Sequence, residues 1–141
     1  MSDSFELERF VEAQEGVYAG VVEELRAGWK RGHWMWFIFP QLRGLGHSPM
    51  AERYAIGSRE EAEAYLKHAV LGPRLRDCTR LVVEAKERTV QEIFGFPDDL
   101  KFRSCMTLFA HATDENEIFK EAVEKYFGGE WDVLTIAKMK Q

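Results

Sequence analysis

The chain has 141 residues, 45% of them hydrophobic and 30% charged, with a formal net charge of −5. That composition suits one globular domain spanning 1–141 and excludes both a disordered chain and two separate cores. The acidic balance argues against a protein whose main task is gripping phosphate backbone, so nucleic acid is a disfavoured partner.

Cys78 and Cys105 sit among apolar neighbours, with no C-x-x-C and no zinc-type spacing of Cys and His. A disulfide framework and a structural metal are therefore not expected, and no cofactor is predicted. The acidic first residues lack the basic head and apolar run of a secretory leader, and no apolar stretch is long enough to span a bilayer. The expectation is a cytoplasmic domain with no membrane partner.

In chain order, Ser4 is placed to cap a first helix carrying Leu7, Phe10 and Val11 on one face, interrupted by Gly16. Tyr18, Val21, Val22, Leu25 and Trp29 mark a second helix, with Gly28 near its end. The segment His33-Trp34-Met35-Trp36-Phe37-Ile38-Phe39-Pro40-Gln41-Leu42 is a nearly unbroken apolar run. Pro40 biases Phe39 toward extended backbone, and Gly44-Leu45-Gly46 and Ser48-Pro49 signal a loop. Residues 33–49 are thus predicted extended or irregular, with room for one short strand. Ser58 and Glu61 form a capping box ahead of Ala62, Tyr65, Leu66 and Ala69. Gly72-Pro73 restarts a helix with Leu75, Cys78, Val82 and Ala85 in its stripe. Thr89 and Glu92 form a second capping box for a short helix that Gly95 stops. Pro97-Asp98-Asp99 opens a helix whose buried face is Phe102, Cys105, Met106 and Phe109. Asp114 is placed to cap the next, with Ile118, Ala122, Val123 and Tyr126 on its stripe and Gly128-Gly129 at its end. Residues 131–138 add a last turn or two. The predicted fold is mainly α: a compact single-domain bundle of about six or seven helices, with the extended aromatic segment folded across it.

Two constellations could carry chemistry. In the aromatic segment, Trp34, Trp36 and Phe39 supply planar apolar surface, with the polar groups of His33 and Gln41 at its two ends; stacking plus hydrogen bonding is how planar rings are held. The same residues equally suit a buried core strand. The second is Lys101 with Ser104 and Cys105, three and four residues on along one helix face. Lys101 and Ser104 there could bind an anion or act catalytically. The plainer reading is that Lys101 pairs with Asp98 and Ser104 makes a helix contact. The four histidines lack metal-ligand spacing.

The stretches His33–Leu42, Gly44-Leu-Gly-His-Ser-Pro, Arg53-Tyr-Ala-Ile, Tyr65-Leu-Lys-His, Leu71-Gly-Pro-Arg-Leu, Ile93-Phe-Gly, Asp98-Asp-Leu-Lys and Ser104-Cys-Met-Thr-Leu-Phe closely resemble the bacterial family of domain of unknown function 1810. Some of its members carry the label calpastatin. The resemblance covers nearly the whole chain and implies no particular reaction. It departs from the family pattern at Cys105, where a second Ser is expected, and around Glu130-Trp131. A more distant likeness is to the helical NADAR domains, which implies ADP-ribose or N-glycosidic chemistry.

Three functions follow as expectations. One is a pocket for a small anionic, ring-bearing ligand of the nucleotide or ADP-ribose class, in which Lys101 approaches the aromatic segment. Another is a non-enzymatic homodimer joined through Trp34 or Trp36 on an apolar surface. The third is nucleic-acid binding, which needs Arg26, Lys30 and Arg31 on one surface with Arg74 and Arg76.

Overall fold

Apolar stripes at helical spacing set the architecture, and the helices close around one core. The computed structural model describes residues 3–140, which hold ten helices: α1 (Glu8–Gln14), α2 (Tyr18–Arg26), α3 (Met35–Ile38), α4 (Pro49–Arg53), α5 (Arg59–Lys67), α6 (Leu71–Glu84), α7 (Val90–Phe94), α8 (Asp98–Ala110), α9 (Glu117–Phe127) and α10 (Val133–Met139). The mainly α expectation holds; the count exceeds six or seven because α3, α4 and α7 are one-turn pieces of four or five residues.

Helix α8 is central. It is buried nearly all round, as an inner helix should be, and α5, α7, α9 and α10 pack against it. Its predicted inner residues Phe102, Cys105, Met106 and Phe109 are fully buried. So are Leu75 and Val82 of α6 and Ala122 of α9. Burying each large apolar side chain contributes about 1.5–3 kcal/mol before entropy is counted. Among the described residues, no helix is long and apolar enough to cross a membrane.

Several local expectations are corrected. The first helix is capped by Asp3, not Ser4: its carboxylate accepts from the amides of Leu7 and Glu8. Helix α2 stops at Arg26, which leaves Trp29 exposed outside the stripe. Ser58 caps α5 as expected, but the box is not reciprocal, because Glu61 accepts from Gly57 and pairs with Arg9 at 2.8 Å instead. The Thr89–Glu92 box is complete. Asp114 caps nothing; α9 begins after Asn116, whose amide donates to the Ala110 carbonyl.

Residues 33–49 are not one extended segment. Met35–Ile38 turn into α3, and Pro49 opens α4 behind Ser48, whose hydroxyl accepts from Ala51. The expected short strand shrinks to a parallel bridge between Leu42 and Ile56. Its two hydrogen bonds run from the Ile56 amide to Gln41 and from the Arg43 amide to Ile56, at 2.9 and 2.8 Å.

Candidate functional site

The aromatic turn is held from below. Glu24 on α2 places one carboxylate oxygen within 2.7–2.9 Å of the Arg31 and Gly32 amides and the Trp34 indole nitrogen. Burial alone would raise the Glu24 carboxyl's pKa; the Gly32, Arg31 and Trp34 donors outweigh it and hold it below the ordinary value. Gln14, buried at the end of α1, donates to the Phe37 carbonyl at 2.8 Å. Phe37 packs edge-on to Tyr54, and Phe39 packs edge-on to both Phe94 and Phe102. Continuous apolarity cannot distinguish a strand from a buried helical turn. Here Met35, Phe37 and Ile38 are all buried, and Gln14 and Glu24 make the turn-fixing contacts.

On the outer side, the structure brings together four of the seven candidate residues. Trp36, Phe39, Gln41 and Lys101 line one narrow cleft, with Gly44 and Gly46 on its loop wall. Its volume is about 10 Å³, room for roughly one water. The Lys101 ammonium lies 5.8 Å from the centre of the Trp36 ring, close enough for cation–π attraction. Its carboxylate partner is Asp98, 3.6 Å away. The other oxygen of Asp98 meets Lys30 at 2.9 Å, and Lys30 in turn lies 5.2 Å from the Trp34 ring. One carboxylate thus bridges two lysines, each beside a tryptophan. The pairing of Lys101 with Asp98 was legible from the helix spacing; the role of Lys30 was not, because it arrives from a loop distant in sequence.

The other three candidates lie elsewhere. Trp34 is buried with its indole committed to Glu24. His33 is exposed and is not part of the cleft lining. Ser104 shares a helix with Lys101, but its hydroxyl meets Asp132 at 2.9 Å and so fastens α10 to α8. Phe39 contributes to the cleft only from the core side, being 1% exposed.

The remaining expectations can be placed on the same geometry. Among the described residues, the large exposed apolar ones are Val17, Trp29, Phe96, Leu100, Val133 and Leu134, not Trp34 or Trp36. The basic residues are largely engaged: Arg74 lies over Tyr18 and donates to Gln14, Arg76 lies over Phe119, and Lys30 pairs with Asp98. Among the described residues, no group of His, Cys, Asp and Glu is arranged to hold a metal ion.

The family model described as Protein of unknown function (DUF1810) matches residues 4–139. The chain belongs to this family. A DUF1810-like architecture is also seen in the crystal structure of the conserved hypothetical protein Rv1873 from Mycobacterium tuberculosis, to which this chain is similar at 61% identity. The match covers 99% of each chain with a TM-score of 0.97. No curated protein matches the chain.

Proposed function

We propose that the cleft between Trp36 and Lys101 binds a small anionic, ring-bearing ligand of the nucleotide or ADP-ribose class. The observation that carries this reading is the position of the Lys101 ammonium beside the half-buried Trp36 ring, with Gln41 in the same lining. A planar ring stacks on Trp36, an anionic group meets Lys101, and the Gln41 amide supplies directional hydrogen bonds. The small enclosed volume means that the ring covers Trp36 at the mouth and that the Gly44–Gly46 wall yields to admit it. Lys101 is a binding residue in this reading. Among the described residues, none lining the cleft carries a carboxylate, and Ser104 is committed to Asp132, so the geometry favours binding over the N-glycosidic hydrolysis suggested by the NADAR likeness.

The test is a thermal-shift and calorimetric screen of nucleoside monophosphates and ADP-ribose against the wild type, Trp36→Ala and Lys101→Gln, each variant first shown to be folded. A ligand that binds only the native state raises Tm. The expected result is a hit that both substitutions weaken. A hit insensitive to both would place the site elsewhere, and the absence of any shift across the class would overturn the assignment.

A further inference from the structure

The loop that walls the Trp36–Lys101 cleft has a second cleft on its other side, of about 410 Å³, well within the size range of small-ligand sites. Three cationic side chains line it from three parts of the chain: Arg43 after the parallel bridge, Arg59 at the start of α5, and Lys138 on α10. None of the three forms an ion pair among the described residues, whereas the half-buried Arg9 and Lys30 do.

Two glycines lie directly against these cations. A side chain at Gly57 would come within 2.9 Å of an Arg43 guanidinium nitrogen, and one at Gly44 within 2.9 Å of the Lys138 ammonium. Gly44 also has φ +96°, a conformation that L side chains rarely adopt. The opposing charges are Glu60, in the lining, and Glu61, which lies beside Gly57 but is already paired with Arg9. Three cations without a carboxylate partner in one concavity give it a local positive potential, opposite in sign to the protein's net charge of −5, and such a concavity attracts an anion.

We infer that this Arg43–Arg59–Lys138 cleft binds a small, multiply charged phosphoryl compound. Guanidinium groups match phosphoryl oxygens with paired hydrogen bonds, and the ammonium adds a point charge. The inference is independent of the proposed function, because Lys101 and Trp36 belong to the other cleft.

Inorganic pyrophosphate is the probe, titrated calorimetrically at low ionic strength into the wild type, the double variant Arg43→Gln/Lys138→Gln, Arg59→Gln and Lys101→Gln. All four side chains are exposed or partly exposed, and circular dichroism checks that each variant is folded. Binding is expected to weaken about tenfold or more in the double variant and in Arg59→Gln, to weaken with added salt, and to be unchanged in Lys101→Gln. No binding to the wild type, undiminished binding to the double variant, or loss in Lys101→Gln would overturn the assignment. A single-stranded oligonucleotide that binds more tightly than pyrophosphate and is lost in the same variants would overturn the small-molecule class.

Discussion

Gln14 and Phe37 are joined by a hydrogen bond from the Gln14 amide to the Phe37 carbonyl, at 2.8 Å and in the core. The same Gln14 accepts from Arg74 at 3.1 Å. One buried amide therefore ties α1, the aromatic turn and α6 together, and it satisfies a carbonyl that an isolated one-turn helix would leave open. Gln14→Ala is expected to cost about 1–3 kcal/mol, since it strands a buried acceptor. Urea unfolding of the variant measures this; a loss below the error of the method would mean that water replaces the amide without penalty.

Phe39 and Trp36 belong to one motif but should respond differently. Phe39 is surrounded by Phe94 and Phe102, so Phe39→Ala is expected to cost roughly 3–5 kcal/mol. Trp36 is only partly buried and its removal should cost less stability while abolishing the ligand binding proposed for the cleft. Equal losses of stability in the two variants would show that Trp36 is core rather than site.

Ser104 separates a structural role from a catalytic one. Its hydroxyl holds Asp132, and Asp132 also accepts from Thr135 inside α10. Ser104→Ala is expected to loosen α10 and cost roughly 1–2 kcal/mol, with ligand affinity at the Trp36–Lys101 cleft unchanged. Calorimetry on this variant would reveal a direct part in the site as a drop in affinity at preserved stability.

Glu24 makes stability depend on acid. Its folded-state pKa lies below the ordinary value of 4.5, so the unfolded chain takes up the proton first as pH falls. Its contribution is complete above the unfolded pKa and is lost as pH drops through the lower, folded one. Glu24→Gln should flatten the stability profile over that acidic range, as measured by Tm from neutral pH downward. A profile as steep as the wild type's would assign the acid sensitivity to another carboxylate.

The thiols should be inert in the native state. Burial pushes Cys78 up to about 11 and Cys105 well above the ordinary thiol range, and both are essentially inaccessible. A disulfide-exchange reagent at mildly alkaline pH is expected to titrate neither thiol before denaturation and both after it. Rapid reaction of a folded thiol would point to local opening of α6 or α8.

The long helices were legible because their information is local. Leu75, Cys78 and Val82 recur at helical spacing, and all are buried on α6. Thr89 and Glu92 cap α7 within four residues of each other. The turn at Met35–Ile38 was not legible, since what fixes it comes from Gln14 and Glu24 on two other helices. Ser48-Pro49 carried a helix-start signal of cap plus proline that the neighbouring glycines obscured. Of the seven candidate residues, Trp36, Phe39, Gln41 and Lys101 line one cleft, with the Lys101 ammonium beside the Trp36 ring. His33 and Ser104 lie near cleft residues in sequence, but His33 is exposed and Ser104 meets Asp132. The Arg43–Arg59–Lys138 cleft left no trace in the sequence, because no spacing rule links the fifth and tenth helices.

Leu42, whose bridge to Ile56 fastens the loop, lines both clefts. A ligand that shifts this strip of backbone from one side changes the shape presented on the other. If both proposed sites bind, thermodynamic linkage requires the influence to run equally in both directions: the factor by which pyrophosphate alters affinity at Trp36 must equal the factor by which a Trp36 ligand alters affinity for pyrophosphate.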